Sequence, residues 1–193
     1  MLIPGFLAGD RSLDVMRAWL RRNGYRPLRS GINLNVESSE VLVQRLSLRL
    51  SAEFRRNGRR VILVGQSRGG VLAFGVGGRF PELVESVVTL GSPLADPYDV
   101  HPSTMAAVHV ARFMHAVRRG PKNLDARFDS ELHKPISVPV TSLYSRSDGI
   151  VNGDACIRSD VDCLEVGGSH VGMAVNPRVY KEVARLIGRR PRA

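Results

Sequence analysis

The chain has 193 residues, of which 43% are hydrophobic and 24% charged, so it is long enough to bury one sizeable core. We predict a single domain over residues 1–193, and this ordinary composition excludes disordered, collagen-like and fibrous proteins. The net charge of +10 favours an anionic partner such as a membrane surface, although a genomic preference for arginine explains the charge more simply. The arginine pairs are scattered and have no aromatic residues between them, so they do not predict a nucleic-acid partner.

The first part of the chain predicts alternating strands and helices. Apolar residues recur at helical spacing in two segments, and Asn23-Gly24 and Gly58 end them. A continuous apolar run just before Gly65 is typical of a parallel strand covered on both faces. The predicted elements are a strand over 1–4, a helix over 10–23, a strand over 25–31, a helix over 36–57 and a strand over 59–65.

The same alternation continues to the end of the chain. The predicted elements are a helix over 68–79, a strand over 86–90, a helical region over 102–119, strands over 138–144 and 163–166, and a helix over 176–188. Strands separated by helices form βαβ units, which predicts an α/β fold with about six mostly parallel strands and helices on both faces. Segment 94–137 is too long for a simple crossover, so we expect a small cap there, with a plain crossover helix as the alternative.

Two other features concern redox state and membranes. Cys156 and Cys163 have no second Cys/His pair at zinc-ligand spacing, and they fit either a short disulfide-bonded loop or two buried thiols. The sequence has no apolar run long enough to span a membrane and no signal-peptide pattern at its start, so a cytoplasmic protein is expected, with membrane association left open. The oligomeric state is also left open.

The strongest motif is Gly65-Gln66-Ser67-Arg68-Gly69, which follows a predicted buried strand and opens a predicted helix. A serine at a sharp strand-to-helix turn needs small neighbours, because the helix passes close to the sheet. The turn presents the hydroxyl above the sheet at the positive end of a helix. We therefore predict that Ser67 is a nucleophile, rather than part of a chance glycine-rich match.

A serine nucleophile needs a base that is oriented by an acid, and with this motif the acid precedes the histidine in the chain. Asp148 and His170 occur in that order, each just after a predicted strand, where open α/β sheets place their sites. We predict that they are the acid and the base. The alternatives are a turn role for Asp148 and the competing residues His101, His109, His115, His133, Asp154, Asp160 and Asp162.

An oxyanion hole needs two backbone N–H groups. One is expected from Arg68, the residue after the nucleophile, and the other from Phe6 in the loop after the first strand. The acyl pocket is expected to involve apolar residues near the site and on the cap, together with one polar neighbour of the serine. The predicted substrate-binding residues are Leu7, Gln66, Leu94, Phe113 and Met114.

With these residues in place, the chain resembles the lipase/esterase branch of the α/β-hydrolase family, in particular small bacterial triacylglycerol-lipase-like hydrolases. The segments that carry the resemblance are 3–7, 64–70, 88–93, 144–151 and 168–172. The resemblance implies a minimal α/β-hydrolase fold with a small cap, a Ser67–His170–Asp148 triad, a small-molecule or lipid ester as substrate, and no metal or cofactor.

The chain departs from the family pattern in ways that leave the substrate open. It has Pro4-Gly5 where the family often has His-Gly, Gln66 and Arg68 beside the serine, and no counterpart of the two strands that usually open the fold. A thioesterase, a phospholipase or an acyltransferase with the same triad remains an alternative. A non-catalytic scaffold and a protein that binds anionic surfaces are alternatives from other classes.

Overall fold

The centre of the molecule is a five-stranded sheet in which all neighbours are parallel and the strand order is β1-β2-β3-β4-β5. The computed structural model describes residues 1–119 and 125–188, with side chains described over 1–110 and 125–188. The predicted α/β class with a parallel sheet is confirmed. The strands are β1 (Leu2–Ile3), β2 (Val61–Gln66), β3 (Val84–Leu90), β4 (Val140–Tyr144) and β5 (Asp162–Glu165).

Helices cover both faces of the sheet, as the alternating pattern predicts. Successive residues of a strand point to opposite faces, and Leu63 and Val64 of β2 accordingly belong to two separate apolar clusters. The Leu63 cluster is closed by α2, α3 and α5, and the Val64 cluster by α1 and α6, where the rings of Trp19 and Tyr180 lie 5.1 Å apart. The helices are α1 (Asp14–Arg22), α2 (Ser39–Asn57), α3 (Arg68–Arg79), α4 (Pro102–Arg119), α5 (Ala126–Leu132) and α6 (Pro177–Gly188).

The predicted strand over 25–31 is wrong, which is why the sheet has five strands rather than about six. The segment runs beside β1, but it forms only one parallel bridge, between Leu2 and Arg29. Pro27 has no N–H to donate, and the N–H groups of the two residues after Arg29 donate to the Asp10 carboxylate at 3.0 and 2.8 Å. Because these donors are lost to the ladder, pairing does not extend beyond the bridge.

The other predicted elements are present with shifted ends. Helix α2 begins at Ser39 rather than at residue 36, because its first turn is capped from a distant part of the chain. The Asp125 carboxylate accepts from the Ser38 hydroxyl at 2.8 Å and from the Glu40 N–H at 3.1 Å. Strand β4 begins at Val140, directly after a proline, rather than at residue 138.

The described residues of segment 94–137 include two helices with different surroundings. Helix α5, which the sequence patterns did not predict, packs on α3: Phe128 is 2% exposed and lies against Gly75, and Glu131 pairs with Arg79 at 2.5 Å. By contrast, none of the residues 101–110 at the start of α4 is buried. Helix α5 therefore belongs to the core layers, whereas residues 102–110 of α4 are exposed or half-buried. Over the residues that the structure describes, no helix combines the length and apolar character that a membrane span requires.

The two cysteines are free thiols in different surroundings. Cys156 is 1% exposed, and burial raises the pKa of its thiol to about 12, whereas Cys163 on β5 is only half-buried. The thiolate is the reactive form, so Cys156 has neither the charge nor the access that a thiol reagent needs.

We expect a disulfide reagent such as Ellman's to modify Cys163 in the native protein and Cys156 only after unfolding. Counting the released thiolate before and after addition of guanidinium measures this, with one equivalent rising to two. Two equivalents from the native protein contradict the burial of Cys156. No release even in guanidinium shows instead that the two residues form a disulfide.

Candidate active site

Ser67 lies in the sharp turn between β2 and α3, at the carboxyl end of the sheet. Its backbone has φ 52° and ψ −126°, a conformation that residues with a Cβ seldom adopt. Neighbouring backbone holds the turn, since the Ser67 N–H donates to the Leu90 carbonyl at 2.8 Å and the Ser67 carbonyl accepts from the Gly70 N–H at 2.8 Å. Helix α3 begins at Arg68, so Ser67 stands at the positive end of the helix dipole, towards which the first N–H groups point.

Glycine is a geometric requirement on both sides of this turn. A Cβ at Gly65 would lie 2.3 Å from the carbonyl oxygen of Gly69, and a Cβ at Gly69 would lie 2.3 Å from the carbonyl oxygen of Ile3. Both contacts involve backbone, which cannot turn aside as the end of a flexible side chain can. The spacing of the two glycines around Ser67 therefore follows from the close approach of α3 to strands β1 and β2.

Asp148 and His170 form a buried hydrogen-bonded pair. The carboxylate oxygen Oδ2 of Asp148 lies 2.7 Å from Nδ1 of His170, and the two residues are 4% and 7% exposed. The other carboxylate oxygen accepts from the N–H groups of Ile150 at 2.9 Å and Val151 at 2.7 Å. Asp148 is therefore oriented by backbone, and it leaves one oxygen for the imidazole.

The loop that carries His170 is attached to the residue before Ser67. The side-chain amide of Gln66 donates to the His170 carbonyl at 3.1 Å, and Gln66 is 7% exposed. Sequence patterns predict that Gln66 binds substrate, but its side-chain amide is directed to the His170 loop. No local signal identifies this role, because the two residues are separated by 104 positions.

Gly91, at the end of β3, lies directly against the acid–imidazole pair. Its φ is +54°, and a Cβ there would lie 2.8 Å from Asp148 Oδ2, 3.2 Å from His170 Nδ1 and 3.3 Å from the Met173 sulfur. Only a residue without a side chain fits this position. Gly91 is not among the predicted site residues, although it directly follows the predicted strand over 86–90.

The turn after β1 lies beside the Ser67 side chain. A Cβ at Gly5 would be 3.3 Å from Ser67 Cβ and 3.9 Å from Ser67 Oγ. The Leu7 N–H donates to the Asn35 carbonyl at 3.2 Å, and the N–H of the next residue donates to the Gly5 carbonyl at 3.2 Å. Within the described part of the chain, the Phe6 N–H makes no hydrogen bond. Phe6 is therefore a donor available beside the serine.

The predicted pocket residues lie in different environments. Leu7 is 55% exposed and has φ 58°, and it sits on the turn beside Ser67. Leu94 is 2% exposed and packs in the apolar cluster between the sheet and α3, so the structure places it in the core. Phe113 and Met114 lie on the part of α4 whose side chains are outside the described residues.

The histidines that competed with His170 are far less enclosed. All three of those with described side chains, His101, His109 and His133, are exposed, and His115 is outside the described side chains. Among the competing carboxylates, Asp154 is 72% exposed and its nearest charged partner is Arg146 at 3.6 Å. The buried Asp148–His170 pair is thus distinct from these surface groups.

No protein-family model matches this sequence, and no curated protein matches it. Solved structures match almost the whole chain. A lipase from Bacillus licheniformis in its mature form has a TM-score of 0.70 at 17% identity, over 96% of this chain and 89% of that one. A monoacylglycerol lipase from Paleococcus ferrophilus has a TM-score of 0.61 at 16% identity, over 96% and 90% of the two chains.

A third similar structure is an α/β-hydrolase enzyme from the metagenome of sediments of the Mar Chica lagoon, Morocco. It has a TM-score of 0.61 at 18% identity, over 97% of this chain and 87% of that one. Identities this low establish the fold alone. The chain therefore has the α/β-hydrolase fold, as the resemblance in its motifs implied.

Proposed function

We propose that this chain with an α/β-hydrolase fold is a serine hydrolase that cleaves carboxylic esters through an acyl-enzyme. The observation that carries the proposal is the buried 2.7 Å hydrogen bond between Asp148 and His170. The Gln66 amide donates to the His170 carbonyl, which links the loop of His170 to the residue before Ser67. A serine hydroxyl is a weak nucleophile, and a histidine that is oriented by a carboxylate is the group that activates it.

In the proposed mechanism, Nε2 of His170 takes the proton of Ser67 as Oγ attacks the ester carbonyl carbon. The carbonyl electron pair moves to oxygen, where the N–H groups of Phe6 and Arg68 stabilise the negative charge. Asp148 stays ionised and stabilises the imidazolium. When the tetrahedral intermediate collapses, the alcohol leaves with the proton from His170. A water molecule then repeats the sequence and releases the carboxylic acid.

The surroundings of Ser67 favour an ester with an apolar acyl or alcohol group. Leu7 on the turn beside the serine is 55% exposed, Leu34 is 50% exposed, and Val171 directly after His170 is 70% exposed. Exposed apolar side chains on the segments that carry the site favour an apolar ligand or a lipid surface, and the net charge of +10 would add attraction to anionic lipid. In this proposal α4, including Phe113 and Met114, forms the cap.

Rates on a matched panel of p-nitrophenyl esters and acyl-CoA thioesters test the reaction class. We expect turnover of the esters, with the acid and the alcohol released in equal amounts and water as the acceptor. Faster cleavage of acyl-CoA would indicate a thioesterase, and preferential transfer to an added alcohol would indicate an acyltransferase. If the folded protein turned over none of these substrates, the enzyme proposal would be contradicted, and a non-catalytic scaffold would remain as the alternative.

Replacing Gly91 by alanine should inactivate the enzyme although residue 91 takes no part in the chemistry. The added Cβ would meet Asp148 Oδ2 at 2.8 Å and His170 Nδ1 at 3.2 Å, so the pair has to move, and the left-handed backbone adds strain. We expect kcat/KM to fall about 100-fold or more, because a shift of about 1 Å in a catalytic group has that effect. We also expect a loss of stability of about 1–3 kcal/mol.

The matched control is Gly167→Ala in the His170 loop, where a Cβ would meet nothing within 4 Å. Both variants are compared by steady-state kinetics and thermal unfolding. Full activity in Gly91→Ala, or equal losses in the two variants, would show that the packing around Asp148 and His170 does not control the reaction.

A further inference from the structure

Asn35, in the loop before α2, is 0% exposed, and each of its four polar groups makes a hydrogen bond. Its backbone N–H donates to the Ala8 carbonyl at 2.8 Å, and its carbonyl accepts from the Leu7 N–H at 3.2 Å. Its side-chain amide donates to the Pro4 carbonyl at 2.7 Å and accepts from the Arg68 guanidinium. Every bond therefore goes either to the turn after β1 or to the residue after Ser67.

The turn after β1 needs such support from outside. Leu7 has φ 58°, a left-handed conformation that costs an L-residue about 1–2 kcal/mol. Conformations of this kind persist only where surrounding contacts hold them. Within the turn, one described backbone hydrogen bond contributes, from Ala8 N–H to the Gly5 carbonyl at 3.2 Å. Without the Asn35 side chain the turn would keep its two backbone bonds to residue 35 but would lose the bond at the Pro4 carbonyl, so the segment between Pro4 and Leu7 could shift and carry the Phe6 N–H with it.

The same side chain is joined to the other side of the oxyanion hole. The guanidinium of Arg68 donates to Asn35 Oδ1, to the Glu37 carbonyl at 2.6 Å and to the Ser39 hydroxyl at 3.2 Å. These bonds attach the first residue of α3 to the loop before α2 and to the first residue of α2. A single Asn35 amide therefore connects the turn that carries Phe6 with the residue that follows Ser67.

We propose that Asn35 is a positioning residue that sets the separation between the Phe6 and Arg68 N–H groups of the oxyanion hole. This inference rests on the proposed function. Oxyanion donors act only when they lie about 2.7–3.1 Å from the oxygen that becomes charged, so small displacements lower the rate. Asn35 makes no described hydrogen bond with Asp148 or His170, so we expect removal of its side chain to weaken the stabilisation of charge in the transition state and to leave the acid–imidazole pair in place.

The test compares Asn35→Ala with Asn33→Ala, an exposed asparagine in the same loop whose side chain makes no hydrogen bond within the described residues. We measure kcat and KM on a p-nitrophenyl ester per active site titrated with a phosphonate, and the affinity of a trifluoromethyl ketone, which forms a tetrahedral oxyanion. For Asn35→Ala we expect kcat about 100-fold lower, with KM changed less than about 3-fold. The ketone should bind more weakly by about the factor lost in kcat/KM, and the pH profile should keep its midpoint.

Asn35→Asp is the second variant, and it decides the question if the alanine variant does not fold. It keeps the volume and the acceptor for Arg68, but it sets a carboxylate oxygen against the Pro4 carbonyl in place of an N–H donor. We expect the same loss of kcat and of ketone affinity. Wild-type values in a folded Asn35 variant, or equal losses in Asn33→Ala, overturn the inference while ester hydrolysis stands. Absence of turnover in the unmodified chain overturns the proposed function and this inference together.

Discussion

Replacing Ser67 by alanine is expected to lower kcat for ester hydrolysis about 10⁵- to 10⁶-fold, because the nucleophile is removed and only binding and the oxyanion hole remain. The fold should be retained, since the neighbouring backbone makes the hydrogen bonds of the turn, with Ser67 N–H to the Leu90 carbonyl at 2.8 Å. Steady-state rates on the best ester, with circular dichroism as the check on folding, measure the effect. Substrate affinity is expected to change little.

Ser142→Ala is the matched control. Ser142 is a fully buried serine on β4 whose hydroxyl donates to the Cys156 carbonyl at 2.9 Å, so its loss should cost about 1 kcal/mol of stability and no catalytic step. A Ser67→Ala variant that keeps more than about a hundredth of the wild-type rate would contradict the assignment of the nucleophile, because a triad without its serine retains far less.

The Ser67→Gly variant tests whether the backbone of the Ser67 turn is strained, through its effect on the free energy of unfolding. The backbone at Ser67, with φ 52° and ψ −126°, is strained for any residue with a Cβ and relaxed for glycine. Relief of that strain outweighs the entropy that glycine adds to the unfolded chain, and we expect a net gain of about 1 kcal/mol together with loss of activity. A variant that is inactive and also less stable would show that the turn is not strained.

Asp148→Asn is expected to lower kcat about 10⁴-fold while the fold stays intact. The N–H groups of Ile150 and Val151 donate to Oδ1 of Asp148 at 2.9 and 2.7 Å, so the amide oxygen of the variant stays with those donors. The amide NH₂ then faces His170 Nδ1 and donates to it. The ring proton moves to Nε2, and the nitrogen that should take the Ser67 proton is no longer a base.

Asp154→Asn supplies the control, because Asp154 is 72% exposed and lies, like Asp148, in the segment between β4 and β5. We expect it to keep the wild-type rate within about twofold, as surface substitutions have small effects. Equal losses in the two variants, or an Asp148→Asn variant with wild-type kcat, would rule out Asp148 as the residue that orients the base.

The Ser67 turn and its candidate partners can be predicted from the sequence, because the patterns that indicate them are local in the chain. A buried strand, Gly65, Gly69 and the following helix are contiguous in the chain, and the steric need for both glycines is a property of that turn. The order of acid and histidine after strand ends is equally visible. The α/β class with a parallel sheet follows from the strand–helix alternation, whereas the α/β-hydrolase fold is implied by the resemblance of the motif segments.

The features of the fold and the site that the sequence does not predict depend on contacts between residues far apart in the chain. The Gln66 amide reaches a carbonyl 104 positions away, and the Asn35 amide reaches one 31 positions away, so no motif of adjacent residues marks either role. The predicted strand over 25–31 failed because the Asp10 carboxylate takes two of its N–H donors, a tertiary contact that strand propensity cannot register. The start of α2 is similarly displaced by a cap from Asp125.

The most direct test of the central proposal is reaction of the intact chain with a fluorophosphonate, followed by mass spectrometry of the whole protein and of its peptides. A nucleophilic serine that is activated by a histidine attacks phosphorus, and other serines do not. The proposal predicts a single adduct on the peptide that contains Ser67, formed by the wild type and by Ser142→Ala, and absent from Ser67→Ala. No adduct on the folded protein, or an adduct on a different serine, would contradict it.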